Sequence, residues 1–221
     1  MGPVYFHSFE YVGHDATTEM VAKAPYASPI LPGFYSDPSI TSANGRYYLV
    51  TSTFTYFPGI PVLESEDLFH WRQIGNVIDR PAELNFAGLG TSRGIFAPAI
   101  SFHDGIFYVI TTAMDAGGSF ISVAKNPAGP WSDPIWLKEL DGIDPSLFFD
   151  VDGRVYVLNN GPPVGPPHYE GHRAIWIKQL DLATHKLLGP RRVLINGGVD
   201  FAKQPVGSKA RTCIGAARGT T

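Results

Sequence analysis

Apolar residues occur in short runs that are rich in Val, Ile, Tyr and Phe, and Gly, Pro, Asp or Asn interrupts these runs at spacings of roughly 8–12 residues. This pattern predicts many short β-strands, and no segment shows a sustained helical period. The clearest runs are RYYLVTSTF (46–54), GIFYVITTAM (105–114), RVYVLNN (154–160) and AIWIKQLDL (174–182). We therefore expect an all-β protein.

Three segments of the sequence follow one template. These segments are 36–54, 96–114 and 143–160. Each begins with Asp-Pro or Ala-Pro, continues to a polar turn that contains Gly45, Gly105 or Gly153, and ends in an aromatic-rich run. Glycine adopts the positive φ that a tight turn requires, so the two strands around each glycine are predicted to form a hairpin.

Each repeat is followed by a second landmark segment. The segments are 66–75, 125–137 and 181–195, and the first two carry Trp71 and Trp131 at matching points. Repeats of about 45–60 residues with four short strands each are typical of β-propeller blades. A β-sandwich with fortuitous similarity is the alternative, and three matches to one pattern favour the propeller. Only about three blades fit the chain, so we expect an incomplete ring with exposed strand edges.

Composition narrows the class of protein. The 221 residues carry 17 Lys+Arg and 20 Asp+Glu, a net charge of −3, which argues against nucleic acid or an anionic membrane as a partner. With 44% hydrophobic and 13% aromatic residues, disorder is excluded. No apolar run is long enough for a membrane span. A single cysteine, Cys213, and no visible signal peptide predict a cytoplasmic protein.

Two carboxylates open two of the three repeats. Asp37 and Asp144 occupy the same template position, 107 residues apart, and Ala97 holds that position in the repeat between them. Equivalent positions of a propeller converge on its axis, so both carboxylates could share one pocket. Glycoside hydrolases use a pair of carboxyl groups as their catalytic residues. The alternative is that Asp-Pro only opens a turn. The alanine in the middle repeat weakens that alternative, because a structural turn residue should recur in all three repeats.

Aromatic residues cluster beside these positions. Phe54, Tyr56 and Phe57 follow the first hairpin, and Phe96 precedes Ala97. Sugar rings stack on aromatic faces, although each ring taken singly is better explained as packing in a β-core.

Five motifs in order resemble glycoside hydrolase family 43, and among its members the β-xylosidase and α-L-arabinofuranosidase group is most similar. The motifs are SPILPGFYSDPSI, TSTFTYFPGIPV, GIFAPAISFHDGIFYVITT, AGPWSDPIWL and GIDPSLFFDVDGRVYV, and the similarity runs from about Ser28 to Val206. The resemblance implies a five-bladed propeller and an inverting, exo-acting hydrolase that releases terminal xylosyl or arabinofuranosyl residues from small hemicellulose-derived oligosaccharides.

The resemblance also implies roles for single residues. Asp37 matches the general base, and Asp144 matches the carboxylate that orients the acid and tunes its pKa. Phe54 lines the terminal-sugar pocket, and Phe96 stands where relatives commonly have Trp. Ala97 and Arg173, the latter within YEGHRAIW, are also expected to bind substrate. No cofactor is expected, although a structural calcium fits the intact family fold.

Other interpretations are weaker. His168 and His172 stand at i and i+4, but Glu170 between them is at the wrong place for a zinc-protease motif. They also follow GPPVGPP, which cannot be helical, so the two histidines would not share a helical face and we predict no metal site. A non-catalytic sugar-binding fragment remains an alternative function. A related enzyme acting on fructosides is disfavoured, because such enzymes carry Asn-Asp-Pro-Asn where this chain has SDPS at 36–39.

The last segment differs from the rest of the chain. The family's acid is a Glu within Glu-Gly-Pro-His, which should follow KQPV at 203–206 and is absent. The sequence instead continues as GSKARTCIGAARGTT, with three basic and no acidic residues. One permitted coding of this segment, preceded by an added T, translates as Trp-Ile-Glu-Gly-Pro-His. We therefore expect a single-base frameshift after Val206, in the gene or in its sequencing, and impaired activity; a naturally divergent tail is the alternative. The predicted divisions are 1–27, an N-terminal extension; 28–206, a partial catalytic propeller; and 207–221, an aberrant tail.

Overall fold

The computed structural model describes residues 29–197, and within that range it contains thirteen β-strands and no helix. The chain divides into two units, Met1–Gly33 and Phe34–Thr221, and all thirteen strands of the described range belong to the second. The strands are β1 (Ser39–Ala43), β2 (Arg46–Val50), β3 (Gly59–Ser65), β4 (Arg72–Ile78), β5 (Gly94–Ile95), β6 (Ala99–His103), β7 (Ile106–Met114), β8 (Gly118–Ala124), β9 (Ile135–Trp136), β10 (Ile143–Phe149), β11 (Val155–Gly161), β12 (Ala174–Asp181) and β13 (Lys186–Asn196).

The strands form three antiparallel sheets that correspond to the three sequence repeats. The first blade has the order β1-β2-β3-β4 and the third has β10-β11-β12-β13. The second blade contains β6-β7-β8-β9, and the short β5 also pairs with β7. The predicted all-β class and the count of about three blades are therefore confirmed. No helix in the described range is long and apolar enough to cross a membrane.

The predicted hairpins are present, and their turns explain why the template repeats. Asn44 and Gly45 have φ values of 52° and 74°, and Asp104 and Gly105 have 47° and 77°. Two consecutive positive φ values define the tight turn that Asn-Gly and Asp-Gly favour. The third hairpin is longer, and Gly153 donates its N–H to the Asp150 carbonyl at 3.1 Å.

The first strand of each blade lies on the inside of the assembly. Strand β6 contacts both β1 and β10, so the three inner strands stand side by side. One hydrogen bond joins two of them directly, because the backbone N–H of Ile100 donates to the Ser39 hydroxyl at 3.1 Å. The ends of these inner strands therefore lie close to one another.

The hydrophobic core lies between neighbouring blades. Between the first and second blades, Tyr48 packs edge-on against Phe107 with ring centroids 5.0 Å apart. Between the second and third blades, Tyr108 and Phe149 are 5.4 Å apart. Further buried members of the two clusters are Val50, Ile60, Val62, Val77, Ile95, Val109 and Phe120 for the first, and Ile110, Ile121, Leu147, Val157 and Leu180 for the second.

The two landmark tryptophans occupy matching loops. Trp71 precedes β4 and donates its indole N–H to the Leu68 carbonyl at 2.9 Å. Trp131 precedes β9 and donates to the Pro127 carbonyl at 3.2 Å. Both rings therefore close the loop between the third and fourth strands of a blade. In the third blade only residues 182–185 separate β12 from β13, which is why that repeat needs no tryptophan.

Gly94 permits a close approach between the first two blades. Its φ is 84°, and a Cβ at this position would lie 2.5 Å from the Phe54 carbonyl oxygen. We expect Gly94→Ala to lower the free energy of unfolding by at least about 2 kcal/mol, through backbone strain and separation of the blades. The control Gly45→Ala has a similar φ of 74° and open space around it, so it should cost only about 1 kcal/mol. Equal shifts of the urea midpoint in the two variants would contradict this role for Gly94.

Some predictions fall outside the described residues. The predicted N-terminal extension, 1–27, and the predicted aberrant tail, 207–221, both lie there. The domain boundaries and the frameshift therefore stay predictions.

Candidate functional site

The candidate residues of all three blades lie at one end of the sheets, which we call the site end. Antiparallel pairing places the start of each inner strand beside the end of its neighbour. Asp37 stands two residues before β1, Ala97 two residues before β6, and Asp144 is the second residue of β10. Because the inner strands are adjacent, these three positions surround one region.

Asp37 and Asp144 have the same local backbone conformation. Their φ values are 50° and 53°, in the left-handed region, and each is followed by proline and serine. Ala97, at the same position of the second blade, has no positive φ. Non-glycine residues occupy this region at a cost and often do so at functional sites. The equivalence that the repeats predicted is therefore present in the backbone, and both side chains are partly exposed.

Ser52 fixes Asp37 in place. Its hydroxyl donates to the Asp37 carboxylate at 2.8 Å and lies 2.7 Å from the Ser36 hydroxyl. Its backbone N–H also donates to the Ser36 carbonyl at 3.0 Å. Ser52 is fully buried and follows β2 by two residues, so the rigid hairpin of the first blade positions the carboxylate.

Phe54 joins the first and second blades at the site end. Its backbone exchanges two hydrogen bonds with Ile95, both at 2.9 Å, and its φ is 51°. This isolated bridge places the Phe54 ring 6.0 Å from the ring of Phe96. Two residues that the sequence predicted to line a sugar pocket are therefore brought together, next to Ala97.

Arg93 lies beside the ring of Phe96. Its guanidinium lies 5.8 Å from the centre of the Phe96 ring and donates to the Asp115 carboxylate at 2.6 Å. This hydrogen bond keeps the pKa of Asp115 below its usual value. Asp115 is therefore a charged partner of Arg93, which leaves Arg93 anchored beside the aromatic pair.

Arg173 lies at the site end of the third blade. It immediately precedes β12, and its Nε donates to the Asn160 side-chain oxygen at 2.8 Å. Its Nη2 lies 3.5 Å from the Asn160 carbonyl. Asn160 is buried and pairs in register with Ile143, the residue before Asp144. Asn160 therefore connects the guanidinium to the segment that carries the second carboxylate.

The segment before Asp144 is seated closely against β11. The Asn159 side chain donates to the Asp141 carbonyl, and Gly142, with a φ of 95°, packs against the Asn160 carbonyl where no Cβ would fit. A register shift between Ile143 and Ser146 then displaces Asp144 from the regular ladder. Bulges of this kind redirect side chains next to functional sites.

The loop that leads to Arg173, residues 162–173, is anchored at several points. The Pro162 carbonyl accepts from the Trp176 indole at 2.7 Å, and the Val164 N–H donates to the Asn196 side chain at 3.0 Å. The rings of His168 and His172 lie 5.4 Å apart, and the His172 Nδ1 accepts the His168 N–H at 3.3 Å. Residues 29–197 contain no group of three or more His, Cys, Asp or Glu side chains that could hold a metal ion.

Removal of the Asn160 side chain tests its role as the support of Arg173. We expect Asn160→Ala to lower the free energy of unfolding by about 1–3 kcal/mol, because a partly buried guanidinium loses the side-chain oxygen to which its Nε donates. Asn160→Asp, which keeps an oxygen at the same place, should retain most of the stability at neutral pH. Chemical denaturation measures both variants. Equal losses in the two variants would mean that the acceptor for Arg173 is unimportant.

Sequence reasoning missed three residues of this region. Ser52 and Asn160 are ordinary polar residues at the ends of predicted strands, and Phe34 precedes the first repeat. A signal existed for the first two, because each follows an apolar run near a candidate carboxylate of its own hairpin. Phe34 gave no signal until the fold placed its ring 6.0 Å from Phe54.

The arrangement has a clear chemical capacity. Two carboxylates stand at equivalent positions of the first and third blades, and the small Ala97 stands between them on the second. Aromatic rings and a guanidinium border the same end. A carboxylate can activate water as a general base, a second carboxylate can raise the pKa of a nearby acid, and aromatic faces suit sugar rings.

Comparisons with known proteins agree on one family. The sequence profile described as Glycosyl hydrolases family 43 matches residues 26–211. A xylosidase/arabinosidase of Butyrivibrio fibrisolvens is 48% identical over 182 residues, which are 81% of this chain and 35% of that protein. A non-reducing end α-L-arabinofuranosidase of Bacteroides ovatus is 46% identical over 143 residues, 63% of this chain and 27% of that protein.

Solved structures share the fold. The crystal structure of a GH43_12 retrieved from capybara gut metagenome superposes with a TM-score of 0.78 at 45% identity, covering 84% of this chain and 36% of that one. A xylan β-1,4-xylosidase from Bacillus halodurans gives 0.71 at 38% identity, with coverage of 79% and 34%. This chain thus spans about a third of the length of the Butyrivibrio fibrisolvens relative and of the capybara gut structure.

Proposed function

The chain belongs to glycosyl hydrolases family 43. We propose that its three blades form the part of the active site that contains the general base, in a glycoside hydrolase that releases terminal sugars with inversion of configuration. The proposed substrates are hemicellulose-derived oligosaccharides that end in xylosyl or arabinofuranosyl residues. The observation that carries the proposal is the shared position and backbone conformation of Asp37 and Asp144, with Ala97 between them.

Asp37 is the proposed general base. Its carboxylate accepts a hydrogen bond from the Ser52 hydroxyl at 2.8 Å, and an ionised carboxylate acts only as a hydrogen-bond acceptor, which is what a base that takes a proton from water requires. In an inverting reaction this water attacks the anomeric carbon from the face opposite the leaving group, and its proton passes to the base. Ser52 holds the carboxylate at the orientation in which it can accept that proton.

Asp144 is proposed to act through the acid that protonates the leaving oxygen. A negative carboxylate beside a second carboxyl group raises the pKa of the latter, so the acid stays protonated near neutral pH. The family's acid is a Glu in Glu-Gly-Pro-His, a sequence that the 221 residues do not contain. An inverting site needs roughly 6.5–9.5 Å between base and acid. We therefore place the acid across the site from Asp37 and next to Asp144.

The neighbouring residues are proposed to bind the terminal sugar. Phe54 and Phe96 offer two rings to its apolar face, and Arg173 offers guanidinium donors to its hydroxyls. Ala97 leaves room at the position where Asp37 and Asp144 project carboxylates. A phenylalanine at position 96 provides a smaller stacking surface than the tryptophan that relatives commonly have.

A sugar-binding fragment without catalysis is the second candidate, and the proximity of the Phe54 and Phe96 rings, 6.0 Å apart, favours it, because aromatic rings can bind a sugar without a catalytic acid. Such a fragment would bind xylose or arabinose and hydrolyse nothing. In either case we propose a small oligosaccharide as the partner, no cofactor and a cytoplasmic location. The last two rest only on the sequence.

A chimera tests the proposal. It joins residues 1–206 of this chain to the part of the Butyrivibrio fibrisolvens relative that follows its matched region. We expect the chimera to release p-nitrophenol from p-nitrophenyl β-xyloside or from p-nitrophenyl α-L-arabinofuranoside. We also expect the 221-residue chain to be slower by at least 10²–10⁴-fold, the usual contribution of acid catalysis. Equal rates for the two proteins, or no release by a folded chimera, would contradict the proposal.

A further inference from the structure

Strand β5 leads directly to Phe96 at the site end, but it contains only two residues. These two residues pair with Met114 and Ala113 of β7, and the Phe96 N–H then donates to the Thr112 carbonyl at 3.0 Å. A ladder of this length fixes its backbone with few hydrogen bonds. The position of Phe96 therefore also depends on what holds the other end of β5.

Arg93 and Asp115 form an ion pair at that other end of β5. Arg93 precedes β5 and Asp115 follows β7, so the register that pairs Gly94 with Met114 places the two charged residues opposite each other. The Arg93 Nε donates to the Asp115 carboxylate at 2.6 Å. Oppositely charged residues that face each other across antiparallel strands stabilise the pairing of those strands. The ion pair therefore lengthens the short β5–β7 ladder by one residue pair at the site end.

The backbone at this end of β5 has little restraint of its own. Gly94 follows Arg93 directly, and a glycine restricts φ and ψ less than any other residue. Asp115 has a φ of 62°, in the left-handed region that non-glycine residues occupy at a cost. The hydrogen bond between the Arg93 and Asp115 side chains holds both of these backbone conformations in place.

The same segment, 93–96, makes the contacts that bring the two site aromatics together. Ile95, which precedes Phe96, exchanges two backbone hydrogen bonds with Phe54. The Arg93 guanidinium lies 5.8 Å from the centre of the Phe96 ring. The side chains of Arg93 and Asp115 are 40% and 50% exposed, so their ion pair contributes little to global stability. Its effect is therefore expected on the local position of Phe96.

We infer that Arg93 and Asp115 are positioning residues, whose ion pair fixes the Phe96 ring beside Phe54 and thereby raises the affinity for the terminal sugar. The inference rests on the proposed function, because it takes Phe54 and Phe96 as walls of the terminal-sugar pocket. Neither charged side chain touches the sugar. Removal of either partner of the ion pair therefore has the same effect, and removal of both has no larger effect.

NMR of the 221-residue chain measures the position of the ring and the affinity for sugar separately. The nuclear Overhauser effect between the Phe54 and Phe96 rings, whose centroids are 6.0 Å apart, reports the position of the ring. Titrations with xylose and with arabinose report the affinity. We expect Arg93→Met and Asp115→Asn each to weaken this Overhauser effect and to raise the Kd for the bound sugar about fivefold. The double variant should match either single variant.

Two further variants serve as controls. Arg93→Lys keeps a cation that can pair with Asp115, so it should retain most of the ring contact and most of the affinity. Arg154→Met removes another exposed ion pair, in which the Arg154 Nε donates to Asp152 at 2.7 Å in the hairpin turn at the opposite end of the third blade. This variant should leave the Overhauser effect and the Kd at their parental values.

The outcomes separate the inference from the proposed function. A loss of affinity in Arg93→Met that Asp115→Asn does not share would show that Arg93 itself contacts the sugar, and would overturn the inference. A lower thermal midpoint with a parental Overhauser effect and a parental Kd would assign the ion pair to stability alone and would also overturn it. If neither sugar binds to the folded chain, the proposed function fails. The Overhauser effect still decides the positioning role, which is wrong if both single variants keep the parental ring contact.

Discussion

The Asp37→Asn variant of the chimera is expected to lose hydrolysis of aryl β-xylosides or α-L-arabinofuranosides by at least 10²–10⁴-fold in kcat. The amide cannot accept a proton from the attacking water. Ser52 can still donate to the amide oxygen, so the local fold should persist and the KM for the substrate should change little. Rates at saturating substrate and thermal unfolding curves measure these two effects separately.

A small anion should restore part of the lost rate. Asp37→Gly leaves space at the base, and azide needs no proton removal to attack the anomeric carbon. We therefore expect added azide to accelerate this variant and to yield a glycosyl azide of inverted configuration. Asp152→Asn, in the hairpin turn at the opposite end of the third blade, is the matched control and should keep the parental rate. Failure of azide to rescue, together with a parental rate for Asp37→Asn, would exclude Asp37 as the base.

The Asp144→Asn variant of the chimera is expected to move the pH optimum rather than only lower the rate. In the proposed site the Asp144 carboxylate raises the pKa of the neighbouring acid, so its removal should lower that pKa. The acid then loses its proton at a lower pH, and the basic limb of kcat/KM shifts downward by about one unit or more. At neutral pH this shift alone costs about tenfold for each unit.

The leaving group provides a control for this second prediction. Substrates whose phenol leaves readily depend little on protonation, so Asp144→Asn should slow natural disaccharides much more than activated aryl glycosides. The acidic limb, which reports the base, should stay in place. An unchanged basic limb with a uniformly lower rate would mean that Asp144 holds the substrate and does not act on the acid.

Much of the fold could be predicted because each blade is specified locally. The glycines of the three hairpins stand where tight turns require positive φ, and the β-branched and aromatic runs fix the strands between them. The equivalence of Asp37 and Asp144 followed from aligning the repeats, and their φ values confirm it. The roles given to Phe54, Phe96, Ala97 and Arg173 stay predictions, although their positions at one end of the blades agree with them.

The remainder depends on contacts between residues far apart in sequence. Nothing local indicates that Phe54 pairs with Ile95 across two blades, because both lie in ordinary strand-like runs. The support of Arg173 by Asn160 arises from the register of β11 against β10 and β12, which a single sequence does not reveal. The position of Phe34 also could not be predicted, because its proximity to Phe54 depends on the hydrogen bonds by which Ser52 holds the segment before β1.

The configuration of the first-formed product tests most directly whether Asp37 works as a general base. Proton NMR of the chimera acting on an aryl β-xyloside distinguishes α-xylose from β-xylose before the two anomers equilibrate. A water molecule activated by Asp37 attacks from the face opposite the leaving group, so α-xylose should appear first. The initial appearance of β-xylose would show that a covalent intermediate forms and would contradict the assignment.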